Sequence, residues 1–244
     1  THSFPTRRSS DLDDLSLSSL IGEKNYYTQA AAGSIGGSGA VSGSLAYNYI
    51  SDDTTSYIGN RSVVTTTNDL KVISQNKTTS ATATGSVGLG GKYGAGLASS
   101  NIIYNSTTES YLGTNSQVLK AANINIEAAN KQDLDVYGIS TAAAGSFSLS
   151  GVVNFVRSDN KTLAYAKSGS KIYASNSINI NVNNYLNNNE SSFDLLNLAG
   201  GGAAGGTVGI GASVAVNKVN NVTKSYLGKG VMVKKRLISE AQDM

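Results

Sequence analysis

The chain runs to 244 residues, with a net charge of +3, 27 Gly, one Pro and neither Cys nor Trp. The lack of cysteine excludes disulfides, thiolate nucleophiles and Cys-held metals. The basic cluster Lys229, Lys234, Lys235 and Arg236 is too local to make a nucleic-acid-binding face. Only 14% of residues are charged, and the abundance of small residues suits a thin, repetitive core better than a thick globular one.

In chain order, Thr1–Leu12 comes first; it holds the single His and the single Pro and matches none of the later patterning. His2–Leu12 reads as the translation of a common short-read sequencing adapter, so residues 1–12 are set aside as an assembly artefact. The chain's own beginning is then out of view, and the lack of a signal peptide says nothing about secretion. Residues 13–27 form an entry segment. No stretch is long and apolar enough for a transmembrane helix.

From residue 28 to 233 the sequence repeats. Tyr57, Tyr111 and Tyr165 are spaced by 54 residues, and Tyr226 follows after 61, so the last unit carries a seven-residue insertion. Thr54, Thr108, Thr162 and Thr223 precede these tyrosines by three positions, and Asn76, Asn130 and Asn184 hold a third place in the register. Such self-similarity signals a tandem repeat, with units at about 28–80, 81–133, 134–194 and a partial 195–233. Residues 234–244 leave the pattern; they form an atypical tail with room for a turn or two of helix.

Each unit opens on an alternating run rich in Gly, Ser and Ala, such as "AGSIGGSGAVSGSLAYNYI". A polar turn is expected next, at "SDD", "NST", "SDNK" or "NNV". A short strand through the Tyr, a Gly/Ser/Asn turn and a period-two strand such as "INIEAAN" complete the unit. This is an all-β pattern, and it points to a β-solenoid, expected as a right-handed parallel β-helix of about 54-residue repeats. An antiparallel sandwich or a set of hairpins is the alternative. At roughly 18–27 residues per coil, each repeat spans two or three coils. Equivalent tyrosines then lie roughly 10–14 Å apart, too far to stack. The repeated Asn is expected to close turns, buried at corners.

The chemistry-bearing patterns are few. "GGGAAG" at 200–205 satisfies G-x-G-x-x-G, but a strand pattern follows where a nucleotide site needs a helix, so it reads as a Gly-rich strand. Asp133 and Asp135 share a strand face and read as solvated edge residues. No Ser-His triad and no G-G-x-G-x-D calcium repeat can be assembled. No catalytic, cofactor or metal residue is therefore assigned, and no enzymatic activity, nucleic acid or small-molecule substrate is expected.

"GASVAVNKVNNVTKSYLGKG" (211–230), echoed in "NSTTESYLGTNSQVLKAANINIEAAN" (105–130), resembles the repeats of leukotoxin-like filamentous haemagglutinin adhesins. The third unit departs, with "AYAKSGS" where the others read "SYLG" or "SYIG". The resemblance implies a fragment of a large, secreted, cell-surface exoprotein, exported through an outer-membrane two-partner secretion transporter. It also implies attachment to a host-cell surface protein or glycan and a cytotoxic role, and it nominates no binding residue. An extracellular carbohydrate-active β-helix enzyme and a membrane-active toxin segment are the alternatives.

Overall fold

The structure, a computed structural model, describes residues 14–20, 23–185 and 195–235. The adapter-like head and residues 236–244 of the tail lie outside them. The first coil runs through β1 (Leu15–Leu20), β2 (Lys24–Gly36), β3 (Gly39–Ile58) and β4 (Val63–Thr65). The second contains β5 (Asp69–Gly90), β6 (Tyr93–Leu112) and β7 (Gln117–Lys120). The third repeats it as β8 (Asn123–Ala144), β9 (Phe147–Ala166) and β10 (Lys171–Ala174). The fourth comprises β11 (Ser177–Tyr185), β12 (Leu195–Gly205), β13 (Val208–Leu227) and β14 (Met232–Lys235). Residues 13–27, expected as a mere entry segment, thus contribute β1 and the head of β2.

Like strands of successive coils pair in parallel and build three sheets. The outgoing sheet holds β1 and β2, then β5, β8, and β11 with β12; the returning sheet runs β3–β6–β9–β13; the short basal sheet runs β4–β7–β10–β14. The fold is a parallel β-solenoid. Asp69 faces Asn123, which faces Ser177, so a step of 54 residues is one coil, not two or three. The expected coil length fails because the arms are 20 and 22 residues long. The polar stretches expected as turns lie inside those arms: Ser51–Asp53 in β3, Asn105–Thr107 in β6, Ser158–Lys161 in β9 and Asn220–Val222 in β13. The insertion falls in the outgoing sheet, where Tyr185 pairs Lys131 and Leu195 pairs Leu134. Residues 186–194 lie outside the described set; in the third coil only Gln132 and Asp133 separate the two partners.

The cross-section tapers. At the base, Leu70, Val72, Leu112, Val118, Ile124, Ile126 and Ile172 fill a three-sided core. Farther out, Ile102, Tyr104, Leu134, Val136 and Val156 form a second apolar cluster. Between and beyond them the inward positions of β5 read Ser74, Asn76, Thr78, Ser80, Thr82, Thr84 and Ser86, all buried. Serine hydroxyls then bridge the arms: Ser56 donates to the Ile73 carbonyl at 2.8 Å, Ser74 to that of Glu109 at 2.7 Å and Ser110 to that of Glu127 at 2.5 Å. At the narrow edge the interior admits only Gly, Ala and Ser, and at some positions glycine alone fits. A Cβ on Gly88 would stand 2.1 Å from the Ala95 oxygen, and one on Gly96 2.5 Å from that of Thr141.

The turn after each long return strand places its third residue in left-handed backbone: Arg61 (φ 59°), Asn115 (φ 57°), Gly169 (φ 74°) and Gly230 (φ 71°). Arg61 alone of these is a long side chain in that region, where a Cβ is crowded. Replacing Arg61 with Gly is expected to raise stability by roughly 0.5–1 kcal/mol; denaturant unfolding reads the change.

Candidate interaction surface

The repeat positions found in the sequence become three columns running along the solenoid axis. The tyrosines face outward on the returning sheet and stack ring on ring. Centroids are 5.1 Å apart for Tyr57–Tyr111, 5.1 Å for Tyr111–Tyr165 and 4.9 Å for Tyr165–Tyr226, with planes within 15°. The expected separation of two or three rungs is corrected by the single-coil step. Asn76 and Asn130 are buried in mid-strand rather than at corners. They form a side-chain ladder, Asn76 donating to Asn130 at 3.1 Å and Asn130 to Asn184 at 3.5 Å.

Thr54, Thr108 and Thr162 point inward and are buried, while Thr223 is exposed on the last coil. The buried three have hydroxyls with no hydrogen-bond partner among the described residues. The column therefore uses the β-branched shape, not the hydroxyl. Thr108→Val is expected to leave stability unchanged or raise it by about 1 kcal/mol, as read by thermal unfolding.

Glu109 sits beside the stack, accepting from Lys161 Nζ at 3.0 Å and from the Tyr165 hydroxyl at 3.2 Å. The third unit's departure is explained here. Lys167 stands where its neighbours have Gly113 and Gly228, and its ammonium lies 3.9 Å from the Tyr111 ring centroid. Burial, then the charge of Glu109, pushes the Tyr165 phenol well above its ordinary value of 10.0. Burial also raises Tyr111 and the interior Tyr104. The folded chain thus keeps neutral phenols that the unfolded chain ionises near pH 10. Stability should hold below that pH and fall as pH rises beyond it. A pH series of melting temperatures checks this, and Tyr165→Phe should flatten part of the alkaline decline.

Several other described carboxylates are engaged in similar ways. Asp52 is buried with Lys24 at 2.6 Å and Thr78 at 2.9 Å, Glu23 meets Lys77 at 2.7 Å and Asp159 meets Arg157 at 2.6 Å. Asp133 and Asp135 both lie in β8, where each has an interaction of its own. "GGGAAG" lies within β12, a strand as expected.

Sequence reasoning missed the outer surface of the returning sheet. Toward the narrow edge its alternation is inverted. In β3 the inward residues are the small Ala40, Ser42, Ser44 and Ala46, while Val41, Leu45, Tyr47 and Tyr49 face outward and stay 51–76% exposed. The next coils add Tyr93, Leu97, Phe147, Leu149 and Val153 to the same strip, and the last adds Val208, Ile210 and Val214. Gly43, Leu97, Gly151 and Ala212 share one row, so glycines flank Leu97 and a shallow groove crosses the strip. The physical cause is the taper: an edge that admits only Gly, Ala and Ser inside turns every large residue outward. Exposed apolar residues gathered in a strip of this kind make it the candidate interaction surface. Comparison of the chain with known protein families, with curated proteins and with solved structures gave no match.

Proposed function

We propose that this chain is a structural and adhesive segment of a secreted, cell-surface filamentous adhesin. The observation that carries the reading is the apolar and aromatic strip on the returning sheet, renewed by every coil. A stiff stack of coils repeats a weak contact at fixed spacing, and weak contacts in number give avidity without a deep pocket. The partner is a protein or glycan on a host-cell surface. Export through an outer-membrane two-partner secretion transporter comes with the resemblance of the repeats.

The test is retention on cultured host cells of beads coated with the chain. Leu45→Lys, Leu97→Lys and Val153→Lys together place three charges on the strip and should abolish retention, whereas Val63→Lys, on the basal sheet, should not. Equal retention of all three bead types would remove the strip from the account. The same strip also favours a second reading, direct contact with membrane, since Val, Leu and Tyr on one flat face suit a lipid interface. Dye leakage from liposomes separates the two: leakage abolished by the triple variant supports the membrane reading, and intact vesicles support the adhesive one.

A further inference from the structure

We propose that the tyrosine column is a site of oxidative cross-linking, at which a haem peroxidase acting with hydrogen peroxide joins Tyr165 to Tyr111 as dityrosine and staples the third coil to the second. Three observations carry it. The first is composition. The chain has neither Cys nor Trp and only two Met, against 13 Tyr. With no thiol or indole to give up an electron first, one-electron oxidation falls on the phenols.

The second is placement. Tyr111 and Tyr165 are paired residues of β6 and β9, with ring centroids 5.1 Å apart and planes at 15°. Both belong to inner coils, each with a coil on either side, so their contact does not depend on what precedes or follows the described residues. The ladder runs through all 20 residues of each strand and holds the two Cα atoms one rung of about 4.8 Å apart. Radicals on the two rings therefore meet without diffusion, the advantage of reactants held together. Tyr111 is partly exposed, so an oxidant reaches the edge of the column.

The third is a proton acceptor. One oxygen of Glu109 accepts from the Tyr165 hydroxyl at 3.2 Å, while Lys161 holds the other at 3.0 Å. Glu109 takes the phenol proton as the electron leaves, in the manner of a general base. The Lys167 ammonium lies 3.9 Å from the Tyr111 ring centroid and 6.0 Å from that of Tyr165, so it opposes positive charge more on Tyr111. Tyr165 is then oxidised first and Tyr111 second. Each phenol loses one electron and its hydroxyl proton, and the two phenoxyl radicals couple ortho carbon to ortho carbon. As the rings regain aromaticity, the two ortho hydrogens pass as protons to the phenol oxygens. Two electrons and two protons leave in all, and they reduce one hydrogen peroxide to two waters.

The test treats the dilute chain with a haem peroxidase and hydrogen peroxide and reads the monomer fraction by dityrosine fluorescence and peptide mass spectrometry. The expected product joins residue 165 to residue 111. It should melt above the untreated chain, because the link closes a 54-residue loop. Tyr111→Phe combined with Tyr226→Phe keeps the stacked rings but leaves Tyr57 and Tyr165 two rungs apart, and should cut monomer dityrosine about tenfold. Tyr137→Phe combined with Tyr173→Phe, on the other two sheets, should leave it unchanged. Glu109→Gln keeps an acceptor but no base, and should slow the coupling while circular dichroism and melting of the untreated protein stay the same. A parent monomer without dityrosine, or with dityrosine that maps to other tyrosines, would overturn the proposal. So would an equal yield from the folded Tyr111→Phe, Tyr226→Phe variant.

Discussion

Gly88→Ala is expected to cost more than about 4 kcal/mol, although it adds one methyl group. Its Cβ would stand 2.1 Å from the Ala95 oxygen and 2.7 Å from the carbonyl carbon. Both are backbone atoms of the facing arm, held by ladders on either side, so no side chain can yield. The arms must part, and the serine bridges behind them part as well. Gly85, three residues earlier, has nothing within 4 Å of the same position and takes no positive φ. Gly85→Ala should therefore stabilise by about 0.4–1 kcal/mol, by restricting the unfolded chain. Thermal unfolding of the pair tests the taper, and a Gly88→Ala protein that melts with the parent would refute it.

Asn130→Ala is expected to cost about 3–5 kcal/mol. Asn130 is fully buried, and its Oδ1 accepts from Asn76 at 3.1 Å, from the Tyr104 hydroxyl at 3.4 Å and from Ser106 at 3.4 Å. Removing that oxygen weakens three buried donors at once, in an interior where water does not replace it. Asn125 belongs to a ladder on the exposed face, accepting from Asn179 at 3.1 Å, and Asn125→Ala should cost less than about 0.5 kcal/mol. Urea denaturation of the two variants distinguishes an interior seam that specifies register from a surface ladder that decorates it.

The repeat, its 54-residue step and the insertion in the last unit can all be read from the spacing of Tyr57, Tyr111, Tyr165 and Tyr226, and the all-β character from period-two runs such as "INIEAAN". The length of the coil cannot. Asp52, Ser106 and Asn160 look like turn residues, and in most chains they would be. Here they face a polar interior and bond side chain to side chain, so the strands run straight through them. The same misreading hid the Tyr stack, because shorter coils would have put rungs between the rings. The outer strip was present as strict alternation in "GAVSGSLAYNYI", but alternation does not say which face is inside. That depends on the thickness of the interior, and a thin one shows only where Gly88, Gly94 and Gly96 of one coil meet Ala95, Ala143 and Thr141 across the arms. The adhesive reading draws on the resemblance of the repeats together with this strip, which only the fold brings into one row.

One repeat is one coil of the solenoid. Lys71 and Asn125 pair directly in the outgoing sheet, and Asn179 lies one rung beyond Asn125. Lys71→Cys combined with Asn125→Cys should close a disulfide within one chain, while Lys71→Cys with Asn179→Cys, two rungs or about 9.6 Å apart, should leave both thiols free. Thiol titration after mild oxidation reads both. Loss of thiol in the first variant alone is the expected result; free thiols in the first variant would contradict a one-coil repeat, because two or three coils per repeat would hold Lys71 and Asn125 apart.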